Sequence, residues 1–489
     1  LPFLVVVPLV ASAAAALIPR HALQAVLLIG SPAFTAVSAV LLLAAHATTP
    51  VIAVQIGGFP GGIAIALVSD TLSATMLLVT SSATLVALWF AIVVRETRLA
   101  YFPSLALMLT AGVNGALLTG DLFNLFVFVE VMLLPSYALL AMTGSWRRLG
   151  VGRLFILVNL LTSTILLVGI GLVYAAAGSV NLAALAGAGR DPRSALAVAV
   201  VMLALLIKAG AVPVHGWLPR AYPATSASVM GLFSALHTKV AIYALFRLYA
   251  VVFGGWNGWS TILVALAVLS MIVGSWSSLG ENTIRRVLSF QMVAGVGYII
   301  VGLGLASGPG SVAGLFYLVH HIVTMGGLIL LSGAIEHTYG TGHLAPLSGL
   351  MRRDKGLAAF FAIGLMSLVG FPPGSGLIAK IVVVLASARA DVEVAAVVIG
   401  AIVGSSILTL LAAQRLWRDV FWGPPLENAP QAARRTPGPR CRRSVVAPGA
   451  VLVTFSVALF LYAGPVMDVL TRSVRDLGDV TAYVQAVLP

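Results

Sequence analysis

The chain has 489 residues, of which 60% are hydrophobic and only 9% charged, and a formal net charge of +13. Soluble domains carry roughly 25% charged residues, so a soluble globular protein is excluded and nearly the whole chain is assigned to lipid. The basic excess belongs to the loops of a membrane protein and not to nucleic-acid binding, because no basic patch with interleaved aromatics is present. The single cysteine, Cys441, excludes an intrachain disulfide and argues against a thiolate metal site.

A membrane span needs roughly 20 apolar residues. By that measure the spans are 1–18, 23–47, 70–94, 99–119, 121–143, 153–177, 194–217, 224–250, 257–279, 284–306, 309–337, 356–389, 393–422 and 446–470. The expected fold is therefore all-α and polytopic, with about fourteen transmembrane helices. The first segment reads as a membrane helix rather than a signal peptide, since no basic stretch precedes it and no clear cleavage site follows. Residues 48–66, with the turn Gly57-Gly-Phe-Pro-Gly-Gly62, are expected to form a short hairpin outside the membrane. Residues 423–445 form a Pro- and Arg-rich loop, and 472–489 a short surface helix.

Charge placement tests this map. Loops after odd-numbered spans hold nineteen basic residues, from Arg20 to the arginine-rich stretch before the last span, while the opposite loops hold six. A miscounted helix would mix the two sets. The asymmetry puts both termini outside and the ends of odd-numbered spans in the cytoplasm.

The three remaining basic residues lie inside spans, and all are lysines: Lys208, Lys239 and Lys380. Arginine stays protonated in any protein environment, whereas a desolvated lysine can release its proton near neutral pH. Each costs roughly 2.5 to 3.5 kcal/mol at a helix centre, an expense that marks function. Glu130 is the carboxylate well inside a span and is the expected partner of Lys208, each then tuning the other. Asp121 and Asp70 stand at span starts, where a capping role competes with an access role. His237, two residues before Lys239, and the pair His320-His321 add imidazoles that accept at one nitrogen while donating at the other. His215, His337 and His343 lie near span ends; of these, His215 is the candidate for access. No metal site is expected, because no carboxylate or cysteine accompanies the histidines at ligand spacing, and no cofactor is expected.

Two spans carry breaks. Span seven reads Lys208-Ala-Gly-Ala-Val-Pro213-Val-His215, and span twelve Gly370-Phe-Pro372-Pro373-Gly-Ser-Gly-Leu-Ile-Ala-Lys380. Proline removes a backbone donor and clashes with the preceding turn, and the carbonyls it frees are tolerated in a membrane only inside protein or beside water. Each break has a lysine close by, and each is the fourth of five helices, in 4–8 and in 9–13. That spacing points to two repeats with a site at each interrupted helix.

Gly120-Asp-Leu-Phe-Asn-Leu-Phe-Val-Phe-Val-Glu130, Lys208-Ala-Gly-Ala-Val-Pro-Val-His-Gly-Trp-Leu-Pro-Arg-Ala-Tyr-Pro223 and Leu236-His-Thr-Lys239-Val-Ala-Ile-Tyr-Ala-Leu-Phe-Arg247 resemble the antiporter-like subunits shared by respiratory complex I and the Mrp-type multisubunit sodium/proton antiporters, the D-type Mrp subunit above all. The resemblance implies inverted five-helix repeats, here 99–250 and 257–422, after an N-terminal three-helix region at 1–98 and before a loop, helix 14 and tail at 423–489. It maps a proton relay onto Glu130, Lys208, Lys239 and Lys380, with His237, His320 and His321 between. It implies a member of a hetero-oligomeric complex in the bacterial plasma membrane, with protons and sodium as the ions moved and no enzymatic chemistry of its own. A proton-pumping subunit of a complex I-like or hydrogenase-like enzyme is the alternative. One departure stands out: relatives commonly place a lysine several residues after the helix 11 histidine, where this chain has Met325.

Overall fold

The computed structural model describes residues 1–142, 146–254, 258–423 and 440–488. Among the described residues the regular structure is helical, apart from one two-stranded hairpin. Helices α1 (Phe3–Leu17) and α2 (His21–Ala45) precede strands β1 (Val51–Ile56) and β2 (Ile65–Asp70). Then come α3 (Thr71–Val93), α4 (Phe102–Leu118), α5 (Leu122–Ala141), α6 (Trp146–Ala177), α7 (Pro192–Ala209) and the short α8 (Leu218–Ala221). The second half begins within α9 (Ala227–Phe253) and continues through α10 (Ser260–Ser278), α11 (Ile284–Gly304) and α12 (Gly308–Tyr339). The remainder is α13 (Leu350–Arg353), α14 (Lys355–Val369), α15 (Ser375–Ser387), α16 (Val392–Phe421), α17 (Arg443–Leu461), α18 (Ala463–Gly478) and α19 (Val480–Val487). Eleven of the described helices are individually long and apolar enough to cross a membrane. The shorter α1 and α4, and α14 with α15 as one interrupted pass, complete the fourteen expected spans.

Local chemistry fixes where the helices begin and end. Asp121, Asp191, Ser226, Thr283 and Ser307 each cap a helix by accepting from a backbone N–H three residues on, which satisfies donors that the first turn leaves open. Both interrupted spans stop at a glycine in the left-handed region, Gly210 with φ +78° and Gly370 with φ +102°, a conformation that costs glycine nothing. The long helices α9, α11 and α12 are buried along nearly their whole length, while α2 and α16 turn apolar side chains outward. The central helices α9 and α12 carry His237, Lys239, His320 and His321.

The expected hairpin is present. β1 and β2 pair antiparallel from Val51 opposite Asp70 to Ile56 opposite Ile65, and Gly57, Gly58 and Gly62 of the turn take positive φ. The hairpin and the start of α3 hydrogen-bond to the C-terminal helices: Gln55 Nε2 donates to the Val487 carbonyl at 2.7 Å, and Thr71 Oγ1 to Asp476 at 2.5 Å. Gly120 donates its N–H to Ala66 at 2.9 Å, and Leu182 donates back to Gly120 at 2.9 Å. The start of the Gly120–Glu130 motif is thus pinned between the hairpin and the loop after α6.

Three expectations need correction. The last span ends at Leu461, and the chain turns at Tyr462 into a separate helix, so 446–470 is not one span and the tail is two helices rather than one. Because α7 stops at Ala209, Lys208 lies in its last turn instead of deep inside a continuous helix. Arg247, counted among the loop arginines, is 4% exposed inside α9 and paired with Asp70. Most of the loop 423–445 lies outside the described residues.

Candidate functional site

The expected site residues occupy three neighbouring clusters. In the first, Glu130 sits midway along α5, and its Oε1 is buried without a hydrogen-bond partner. Lys208 is 2% exposed and donates to Asn159 Oδ1 of α6 at 3.5 Å. Glu130 and Lys208 form no ion pair within 4 Å among the described residues, yet Glu130 is the carboxylate whose charge acts on Lys208. The two are thus close enough to interact without direct contact. Position favours the lysine's charge in another way: it lies in the last turn of α7, where the helix dipole is negative.

His237 links this cluster to the next. Its Nε2 lies 2.8 Å from Ser136 Oγ on α5, and its ring packs against Phe233 at 4.5 Å between centroids. Two residues on, Lys239 is fully buried and donates to Thr238 Oγ1 at 3.0 Å. Lys208 acts electrostatically on His237, and Lys239 on His321.

The adjacent histidines of α12 have different surroundings, because neighbouring helix positions project roughly 100° apart. Neither ring nitrogen of His321 has a hydrogen-bond partner, although the backbone of Gln291 is close. Its ring lies over Gly295, where an added Cβ would collide with it. His320 Nδ1 instead lies 2.8 Å from Ser375 Oγ and 3.2 Å from Thr324 Oγ1, while its Nε2 is left without a partner. Met325 is fully buried on the same helix.

The third cluster is the second break. Lys380 Nζ donates to the Val369 carbonyl at 2.6 Å and to Ser406 Oγ at 2.9 Å, with the Tyr298 ring 5.2 Å away. Val369 is the last residue of α14. Lysines 208 and 380 thus both sit at the carbonyl end of the half-helix that a break terminates, as ion sites of interrupted membrane helices do. A crevice of about 440 Å³ between α15 and α16 reaches Lys380. Both breaks contain a cis peptide bond, at Val212-Pro213 and Pro372-Pro373. His215 lies in the first break, half-buried, with Nδ1 unpartnered.

Asp121 is a helix cap, accepting from Asn124 N at 2.8 Å. Asp70 caps α3 and is also held by both guanidinium nitrogens of Arg247, with Ser73 and Tyr243 completing the cluster. On the side assigned to the basic loops, a cavity of about 860 Å³ is lined by Arg220, Asn282, Arg285, Arg286, Glu336 and His343, with Arg285 paired to Glu336 at 2.7 Å.

Sequence reasoning found the charged groups but not their polar partners. Asn159, Ser136 and Ser406 each hold a relay candidate, and Thr324, Ser367, Ser375 and Ser456 surround His320. Their signal in the sequence is weak: hydroxyls on the inner faces of apolar helices, which hydrogen-bond equally well to their own helix backbone.

Residues 119–409 match the family described as NADH:quinone oxidoreductase/Mrp antiporter, transmembrane. The D-type subunit of the Na(+)/H(+) antiporter of Alkalihalophilus pseudofirmus is 32% identical over 89% of this chain and 88% of its own length. The D-type subunit of a probable K(+)/H(+) antiporter of Rhizobium meliloti is 33% identical over 86% and 84%. A chain in the structure of the Mrp complex from a Dietzia species superposes with a TM-score of 0.94 at 39% identity, covering 100% of this chain and 98% of that one. A chain of respiratory complex I from Thermus thermophilus shares the fold, with a TM-score of 0.80 at 23% identity over 100% and 99%. With a family match across more than half its length and relatives alike nearly end to end, the chain belongs to the NADH:quinone oxidoreductase/Mrp antiporter transmembrane family.

Proposed function

We propose that this chain is the proton-translocating subunit of a multisubunit monovalent cation/proton antiporter, a transporter component and not an enzyme. Protons move along Glu130, Lys208, His237, Lys239, His320 and His321 to Lys380, with repulsion between neighbouring charged sites coupling the steps. The observation that carries this reading is the run of titratable groups inside the helix bundle, half-buried at Glu130 of α5 and buried at Lys208, His237, Lys239, His320, His321 and Lys380 of α7, α9, α12 and α15. Identity supports antiport over redox-driven pumping: 39% to the Mrp chain against 23% to the complex I chain. Relatives named for sodium and for potassium exchange are equally similar, so the exchanged cation is placed in that pair, sodium first.

The same reading takes 99–250 and 257–422 as the two repeats. The loop arginines put the basic cavity on the cytoplasmic face of the bacterial plasma membrane and both termini outside. Asp121 and His215 stand at the approaches to the relay.

The test is Lys208→Ala in the intact complex, assayed in sealed everted vesicles. The expected result is loss of cation-driven proton efflux at normal levels of the protein. Efflux at the wild-type rate would overturn the proposal.

A further inference from the structure

His320 stands at the junction between the Lys239 side and the Lys380 side, and it is the α12 histidine with a polar shell. Its Nδ1 meets Ser375 Oγ at 2.8 Å and Thr324 Oγ1 at 3.2 Å. Ser456 Oγ lies 2.8 Å from Ser375, 3.0 Å from Thr324 and 2.8 Å from Ser367, and Ser367 lies 3.2 Å from Thr324. All four hydroxyl residues are fully buried. They come from four helices, Thr324 from α12, Ser367 from α14, Ser375 from α15 and Ser456 from α17. The approach of α15 to α14 depends on Gly376, where a Cβ would run into the Ser367 carbonyl oxygen.

A hydroxyl both donates and accepts, and its proton rotates to suit. When His320 is neutral with Nδ1 bare, the chain Ser456–Ser375–Nδ1 can donate toward the ring. When Nδ1 carries a proton, the same oxygens turn about and accept, Nδ1 to Ser375, Ser375 to Ser456, and Ser456 to Thr324 or Ser367. Such chains polarise one another in a dry interior. A buried imidazolium needs this, because an unpaired buried charge is costly. His321 has no equivalent shell.

We propose that Thr324, Ser367, Ser375 and Ser456 form a proton-solvating site, a reorientable hydroxyl cluster that holds the imidazolium form of His320 and makes it the proton carrier of the central junction. The neutral ring carries its proton on Nε2, the nitrogen left without a partner; the added proton binds at Nδ1, where the hydroxyls turn from donors to acceptors, and leaves from Nδ1. This role rests on the relay reading above. Around His320, the titratable groups are Lys380 from α15, Tyr317 and His321 on its own helix, Tyr298 of α11 stacked on Tyr317, and Lys239 of α9 beyond His321. Among the described residues, α14 and α17 bring it hydroxyls through Ser367 and Ser456.

The experiment compares Thr324→Val, Thr324→Ser and Ser456→Ala in the intact complex, measuring cation-driven proton efflux in everted vesicles across a pH series. Thr324→Val and Ser456→Ala are expected to move the His320-dependent limb about one unit toward lower pH, the equivalent of one hydrogen bond to a charged group, and to lower the rate above that limb about tenfold. Thr324→Ser keeps the wild-type profile, and the apparent affinity for the cation is unchanged in all three. A wild-type profile in Thr324→Val overturns the proposal. So does an equal fall in Val and Ser variants without a shift, which is packing, or a changed cation affinity, which makes the cluster a cation site. If Thr324→Val does not assemble, Ser456→Ala and Ser375→Ala carry the same reading. Loss of efflux in Lys208→Ala together with unmoved cluster variants sinks this proposal alone, whereas full efflux in Lys208→Ala sinks the relay itself.

Discussion

Lys380 donates to the carbonyl oxygen of Val369 at 2.6 Å, so the lysine of the second break reaches back onto the end of the helix that the break terminates. Ser406 of α16 takes a second Nζ proton at 2.9 Å. Lys208 repeats the placement at the end of α7. In both spans the carbonyl end of the interrupted helix supplies negative potential, with Glu130 added on the Lys208 side, and in the proposed relay this helps each lysine hold its proton.

Lys380→Ala is expected to abolish antiport in vesicles with the complex present at normal levels. Ser406→Ala removes one of two acceptors and costs less, about 1 kcal/mol, or several-fold in rate. Equal losses in the two variants would show that Ser406 does more than orient the lysine.

The Asp70–Arg247 pair is buried and ties α9 to the start of α3. Arg247→Ala leaves Asp70 buried and unpaired, and is expected to destabilise the protein by about 3 to 5 kcal/mol. Arg247→Met combined with Asp70→Asn removes both charges, keeps an acceptor for Ser73 N, and is expected to recover most of that loss. Thermal unfolding of the purified complex, followed by retention of this chain in it, measures both.

Much of the fold was legible before the structure. Apolar length gave the spans, and Pro213 and Pro372 gave the breaks. Helix ends inside a span were not legible, because Ala209 and Gly210 look like any other small membrane residues until the left-handed turn is seen. The end of the last helix at Tyr462 was hidden for the same reason, since apolar residues continue past it. Among site residues, charge in lipid is conspicuous, so Glu130, Lys208, Lys239 and Lys380 stood out. Ser136, Asn159 and Ser456 did not, because their role depends on which helix lies opposite.

Gly376→Ala is expected to prevent close packing of α14 and α15, since the added Cβ would collide with the Ser367 backbone oxygen. A cost of at least about 1 to 3 kcal/mol follows from overpacking, read as a reduced protein level and lost antiport. Gly400→Ala, where nothing lies within 4 Å, serves as the neutral control.

Cys441, before α17, offers a pH readout outside the spans. Burial, with Asp354 beside it, pushes its thiol up to about 11. The thiolate is then scarce at pH 8, and alkylation by a maleimide is expected to run about a hundredfold slower than at an unperturbed thiol, rising steadily as pH increases. Asp354→Asn removes one of the raising influences and is expected to speed labelling.

In the proposed relay the buried lysines serve because they can give up a proton. Lys208→Arg tests it most directly, since arginine keeps the charge at that place and cannot be deprotonated. In the assembled complex, cation-driven proton efflux by Lys208→Arg is expected to fall as far as that of Lys208→Ala. Efflux at the wild-type rate from the arginine variant would show that Lys208 supplies only a fixed charge, and would contradict the relay.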